Sequence, residues 1–368
     1  MKICTITCHH AYNHGAMLQA YALQQYLKSL GHEVSVIDYR PQYMPGLQLD
    51  FDEVSPRFDY FGIRLLYRLL KKTERQYDQD RRYLMEDFFV EHISVTGQCY
   101  TTIEELVANP PICDLFIAGS DQIWNTTLKN GRDRAFYLDF GCPKRKISYA
   151  ASFATPEIEQ GYEDFVKIQL QNFDAISVRE ESGARILESL GYKGKVVVDP
   201  VFLLDRKHWE EFDKSETGDD YILTYDFNPK DKTISKLAKR LSRIYNCKIY
   251  SLMPYKSDYS DCSVYLSAPN RFVSLVKNAK CVISNSFHGT VFAMMFAKKF
   301  FVVDRIDGLN LRMHDLLSRY GLDDRLVALD VPEDRLREEI DYGPVYQKLS
   351  KDIFASQSFL KEQIELAR

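Results

Sequence analysis

The chain has 368 residues, 45% of them hydrophobic and 27% charged, with a formal net charge of -4. That length favours two cores over one, and nothing in the slightly acidic balance suggests general nucleic-acid affinity, which usually shows as a strongly basic domain, so no nucleic-acid partner is expected. The longest apolar stretches, such as VFAMMFA (291–297), fall far short of the ~20 residues that span a bilayer. MKICTITCHHAYNHG at the start lacks the charged, apolar and small-residue succession of a signal peptide, so a cytoplasmic protein is expected.

Eight cysteines are scattered through the chain and read as reduced thiols, several of them in apolar strand-like runs. Cys4 and Cys8 lie near His9, His10 and His14. Along a strand, however, the two sulfurs would sit about 13 Å apart, too far to share one ion. No metal is expected.

In chain order, KICTITC (2–8) reads as a strand, and AMLQAYALQQYLKSLGH (16–32) as a helix with a stripe of Leu18, Tyr21, Ala22, Gln25 and Leu27. EVSVIDYR (33–40) is the next strand, 41–60 a loop and 62–91 a partly basic helix. TTIEEL opens another helix, with Thr102 and Glu105 spaced as a capping box. DLFIAG (114–119), KISYAAS (146–152), AISVR (175–179) and KVVVDP (195–200) read as strands, with helices near 157–172 and over 181–191. After PVFLLDRK the alternation restarts with YILTYDF, CKIYSLM, KCVISN and FFVVDR as strands, and a last amphipathic segment covers 345–366. The pattern predicts an α/β protein with two Rossmann-like domains facing a cleft, at 1–203 and 204–344, and a C-terminal helix (345–368) returning to the first.

In open parallel sheets, ligands bind outside the carboxyl ends of the strands. Four strands end in polar residues suited to chemistry: HHAYNHGA with Asn13 and Gly15, GSDQIWN with Ser120, Asp121 and Trp124, Arg179 followed by Glu180, and SNSFHG with Ser286, His288 and Gly289. Each has a plainer reading. NHG suits a turn, and Asn13 suits a helix cap. GSDQIWN suits a helix start with Trp124 as a core anchor, Arg179 a surface ion pair, and the Ser/Asn turn a cap that leaves His288 a satisfied imidazole. Joint placement favours the functional reading: all four would face one cleft if the two sheets oppose their strand ends. His288 would sit in a helix's first turn, where free N–H groups and the dipole attract anions.

NHGAMLQAYALQQYLKSLGHEVSVIDYRP, DLFIAGSDQIWN, KRKISYAASF, ISVREESGARILESLG, KVVVDPVFLL and ISNSFHGTVFAMMFAKKFFVV resemble, in the same order, the polysaccharide pyruvyl transferase family. The resemblance covers most of residues 1–305, and GSDQIWN and SFHGT are its specific parts. It implies a GT-B-like fold and the use of phosphoenolpyruvate, as co-substrate and without a further cofactor, to form a pyruvate ketal on a cell-surface glycan or its lipid-linked precursor. An arginine after a first-domain strand and an Arg-x-His pattern in the second domain are linked to the donor in that family. Arg179 matches the former and His288 the latter, with Ser286 standing where the pattern has arginine. Arg305 and Arg312 are candidates to supply that cation, and Ser286 and Gly289 complete the expected donor side. Asn13, Gly15, Ser120 and Trp124 make the acceptor side or cleft wall. His288 and Asp121 are the expected proton-transfer pair, with the acid and base roles open between them.

Arg64, Arg68, Lys71, Lys72, Arg75, Arg81 and Arg82 make a basic face on the 62–82 helix. With a lipid-linked acceptor, this face would give peripheral contact at the inner face of the cell membrane. Interspersed Glu74, Asp78 and Asp80 suit a solvated face equally. Two other functions fit the same fold: a nucleotide-sugar-dependent glycosyltransferase, distinguished by nucleotide binding, and a non-catalytic glycan-binding protein, for which the Ser286 departure speaks.

Overall fold

The structure, a computed structural model, describes residues 1–44, 72–212, 218–228, 230–252, 257–305 and 311–368. Its first sheet is wholly parallel, in the order β3-β2-β1-β4-β5, from β1 (Lys2–Ile6), β2 (Glu33–Tyr39), β3 (Val95–Tyr100), β4 (Leu115–Ala118) and β5 (Arg145–Ser148). Isolated bridges Ile147–Ala175 and Ala151–Val178 carry the pairing on to β6 (Ser177–Val178) and β7 (Lys195–Val196). The associated helices are α1 (His14–Ser29), α2 (Lys72–His92), α3 (Ile103–Ala108), α4 (Glu163–Gln169) and α5 (Glu181–Ser189).

After a 3-10 turn at Pro200–Leu203 and α6 (Arg206–Phe212), the second parallel sheet runs β10-β9-β8-β11-β12. Its strands are β8 (Tyr221–Tyr225), β9 (Lys248–Ser251), β10 (Cys262–Ser263), β11 (Cys281–Ser284) and β12 (Lys299–Val302). Around them lie α7 (Thr233–Tyr245), α8 (Pro269–Asn278), α9 (Phe287–Met295), α10 (Leu311–Tyr320), α11 (Glu333–Arg337) and α12 (Tyr342–Glu365). Each sheet reads 3-2-1-4-5 by position, the doubly wound Rossmann order, and reverses direction between its first and fourth strands.

Strands β4, β8, β11 and β12 are buried along their whole length, as helices on both faces of a parallel sheet demand. β1 stops at Ile6, short of the expected Cys8, because the His9 N–H turns back to the Thr7 carbonyl. Helix α1 differs more from expectation. In place of a stripe, almost its entire circumference is buried. The reason is its position between the first sheet and the second domain: His14 stacks on Phe272 of α8, and Tyr21 packs against Trp209 of α6. In α3, Thr102 Oγ1 accepts from Glu105 N–H, but the Glu105 carboxylate returns to Thr101 N–H at 2.6 Å, so the box closes one residue early.

The buried His14 makes the domain junction pH-sensitive. Its Nε2–H donates to the Ser267 carbonyl at 3.0 Å, which leaves Nδ1 to accept from the Tyr225 hydroxyl at 3.2 Å. Burial, helped by the Arg81 cation, pushes His14 down to about 3. The unfolded chain therefore takes up this proton first as pH falls. The stability from neutral His14 is complete above the unfolded value of about 6.5 and is lost toward about 3. The unfolding free energy from urea titrations should fall on acidification from pH 6.5 to 4.5 by an extra ~2 kcal/mol relative to His14→Asn. Equal slopes for the two proteins would contradict this.

Helix α12 touches both domains. Arg145 donates to Gln363, and Val198 N–H donates to Ser356 Oγ, while Tyr346 of α12 donates to the Met294 carbonyl. Arg64, Arg68 and Lys71 of the expected basic face lie outside the described residues, as do the side chains of Lys72 and Arg75. Arg81 corrects that expectation in part: it is buried and donates to the Tyr12 carbonyl. Among the described residues, no helix is long and apolar enough to cross a membrane.

Candidate active site

The reversal points of the two sheets face each other, and a cavity of about 290 Å³ lies between them. Asn13 and Asp121 from the first domain, Ser286, His288 and Phe287 from the start of α9, and Arg305 and Arg312 beyond it line the space. Arg179 lies just behind, stacked on Phe287 with its guanidinium carbon 4.2 Å from the ring centre. Arg312 approaches the same ring at 5.5 Å. The four strand ends singled out in the sequence thus meet at one place.

Their local structure explains how. Asn13 caps α1, its side-chain oxygen accepting from Gly15 and Ala16 N–H. Gly15 has no side chain because there is no room: a Cβ there would lie 2.0 Å from His288 Nδ1. Ser286 caps α9 by accepting from Gly289 N–H at 3.3 Å, so the Gly289 amide is already bonded and does not line the cavity. Asp121 holds a left-handed backbone (φ 76), a conformation tolerated by aspartate, and its carboxylate stands 3.8 Å from both Arg179 and Arg312.

Two expectations need correction. Trp124 is not a cleft residue. It is fully buried, its indole N–H donates to the Phe136 carbonyl at 3.1 Å, and it stacks on Tyr137. The loop folds it inward because Trp124 N–H pairs with the Ser152 carbonyl. Ser120 is also fully buried, and serves the site from behind: its hydroxyl accepts from Arg179 at 3.3 Å.

Asp199 is not among the expected site residues, and Glu180 enters the expectation only as the residue that follows Arg179. Asp199 accepts from Arg179 Nη1 at 2.7 Å and from Val201 N–H, and faces His288 Nε2 at 3.5 Å. It thereby joins the first domain's arginine to the second domain's histidine. Burial works against its charge, but His288 and Arg179 together hold its carboxyl well below the usual range. Its sequence context, the Asp-Pro that closes KVVVDP, reads only as the end of a strand. Glu180 looked like a surface partner of Arg179. Instead it is buried, and its Oε1 accepts from the Ser152 hydroxyl and from Phe153 and Ala154 N–H.

The charges do not close on themselves. Arg179 Nε and Nη2, Arg312 Nε, His288 Nε2 and Glu180 Oε2 are all buried without a hydrogen-bond partner. Buried polar atoms are nearly always partnered, so a convergent set of orphans marks a place built for something else. Burial, and repulsion by Arg179, push Arg312 down to about 10. A buried anion would relieve both effects. Among the described residues no cluster of three or more His, Cys, Asp or Glu side chains is arranged to hold a metal.

Among solved structures, UDP-N-acetylglucosamine 2-epimerase from Rickettsia bellii is similar in fold, with a TM-score of 0.51 at 15% identity, over 100% of this chain and 97% of its own. The glycosyltransferase SnogD from Streptomyces nogalater covers 99% of each chain at 13% identity and a TM-score of 0.46. The former likeness shows the GT-B-like fold of paired Rossmann-like domains and nothing beyond it. No curated protein matches in sequence. The family model described as polysaccharide pyruvyl transferase matches residues 13–307, from the cap of α1 to just short of Arg312. That match spans most of the sequence, and the chain belongs to the polysaccharide pyruvyl transferase family, whose members are transferases acting on polysaccharide.

Proposed function

We propose that the protein moves the pyruvyl group of phosphoenolpyruvate onto two hydroxyls of one sugar, in a bacterial surface polysaccharide or its lipid-linked precursor. The product is a pyruvate ketal and the leaving group is phosphate. The observation that carries this reading is the pair of buried guanidinium groups on Phe287 with unpartnered N–H donors. A donor with a carboxylate and a phosphate supplies the acceptors they lack, in the planar geometry that arginine favours.

The donor's methylene carbon takes a proton, and the adjoining carbon becomes oxocarbenium-like. A first sugar hydroxyl adds there and gives up its proton. Phosphate then leaves, and the second hydroxyl closes the ketal, its proton departing with phosphate. His288 and Asp121 stand on opposite domain walls of the cavity, which suits one as proton donor and the other as acceptor. No further cofactor is needed, because the phosphate ester is its own leaving group. This reading places the protein in the cytosol, at the inner membrane face when the acceptor is lipid-linked.

Arg312 takes the place of the cation absent at Ser286. It is buried against Phe287, whereas Arg305 is half-exposed and lies over Phe227 at 5.9 Å. Arg312→Ala should therefore weaken phosphoenolpyruvate binding by ~10-fold or more, and by more than Arg305→Ala does. Calorimetric titration of the two variants would reveal the reverse order if the assignment is wrong.

A further inference from the structure

The site holds two buried carboxylates beside Arg179, and their surroundings are opposite. Both oxygens of Asp199 are engaged, Oδ2 by Arg179 and Oδ1 by Val201 N–H. Glu180 has three donors on Oε1 and none on Oε2, which lies 3.9 Å from the equally unpartnered Arg179 Nε. The loop that supplies those donors is strained: Ala150 and Ala154 adopt left-handed backbones (φ 55 and 59), which cost alanine energy and turn the chain toward Oε1. Glu180 is also the N-terminal cap residue of α5, yet its side chain caps nothing. Asp315 of α10 bonds Ser182 N–H and hydroxyl instead.

Behind Phe287 is a small cavity of about 20 Å³, room for one water. Glu180, Arg179 and Arg312 border it, with Asp199, Glu181, Asp315 and Arg319 completing its charged wall. Across the cluster, two arginines and the His288 imidazole face three carboxylates, Asp121, Asp199 and Glu180. An incoming anion adds further negative charge in a low-dielectric place, and the least costly response is a proton on the carboxylate oxygen that lacks a partner.

Resting on the phosphoenolpyruvate reading only for the identity of the anion, we propose that Glu180 is the proton store of this site: when the cleft holds an anion, Glu180 is a neutral carboxylic acid with its proton on Oε2. Asp199 remains the charged partner of Arg179 and His288. Burial pushes the Glu180 carboxyl up and the pairing of Asp199 holds that carboxyl down, so the two acids are separated in the direction the proposal needs.

Infrared spectroscopy at neutral pH tests this without turnover. Wild type saturated with phosphoenolpyruvate should show the carbonyl stretch of a protonated carboxylic acid, shifted by carbon-13 glutamate labelling and absent in Glu180→Gln. Glutamine keeps the accepting oxygen and puts an N–H donor where Oε2–H would be. Glu180→Gln should therefore melt near wild type, while Glu180→Ala, which orphans three donors, should melt lower. A missing band, one retained in Glu180→Gln, or one that glutamate labelling leaves unshifted overturns the proposal. If inorganic phosphate produces the band but phosphoenolpyruvate does not bind, Glu180 keeps this role and the donor assignment fails.

Discussion

Arg179→Ala is expected to abolish measurable binding of phosphoenolpyruvate and to lower stability by about 3–5 kcal/mol, the usual cost of breaking a buried ion pair from one side. Arg179 is buried with Asp199 at 2.7 Å, Asp121 at 3.8 Å and Glu180 at 3.9 Å. Burial opposes its charge, and these three carboxylates more than offset that opposition, so its guanidinium is held more firmly protonated than usual. Removing it leaves the carboxylates facing each other and takes away the platform on Phe287. Arg179→Lys should recover part of the stability and little of the binding, because an ammonium cannot reproduce the planar fork. Urea denaturation and calorimetry measure the two losses separately, and an alanine variant with wild-type binding would remove Arg179 from the site.

Gly15→Ala should behave against the general rule for helices. Alanine within a helix ordinarily gains up to ~1 kcal/mol over glycine. Here the added methyl would meet the His288 ring at 2.0, 2.3 and 2.7 Å from Nδ1, Cγ and Cβ. The ring belongs to α9, which is buried throughout, so it has no free direction in which to yield. The expected outcome is a net loss of about 1–3 kcal/mol, together with loss of activity as His288 is driven from Asp199. Gly97→Ala is the control, since a Cβ there meets nothing within 4 Å. Thermal unfolding that shows Gly15→Ala as stable as the control would mean that the domains do not close on this glycine.

The fold was legible because buried parallel strands leave a strong mark. LFIA, YILTY and CVIS are mostly apolar runs buried at every position, and each is followed by polar residues at the end where ligands bind. The places of His288, Asp121 and Arg179 at strand ends could be read from that pattern, while the roles expected of them came from the family resemblance. What stayed hidden depends on tertiary contact. Trp124 stands in the same loop as Asp121, and only the pairing of its N–H with Ser152 decides that it turns inward. Asp199 acquires its role from two elements that meet it in space, Arg179 and the start of α9. Arg312 did leave a trace: it falls on the face of α10 that buries Met313, Leu317 and Tyr320, and an arginine on an apolar face asks for a partner.

The most direct test of the account is calorimetric titration of the purified protein with phosphoenolpyruvate and with nucleotide sugars, repeated on Arg179→Ala and His288→Ala. The account predicts that phosphoenolpyruvate binds, that both substitutions weaken it and that nucleotide sugars are ignored. Binding of a nucleotide sugar alone, or phosphoenolpyruvate binding indifferent to both substitutions, would contradict it.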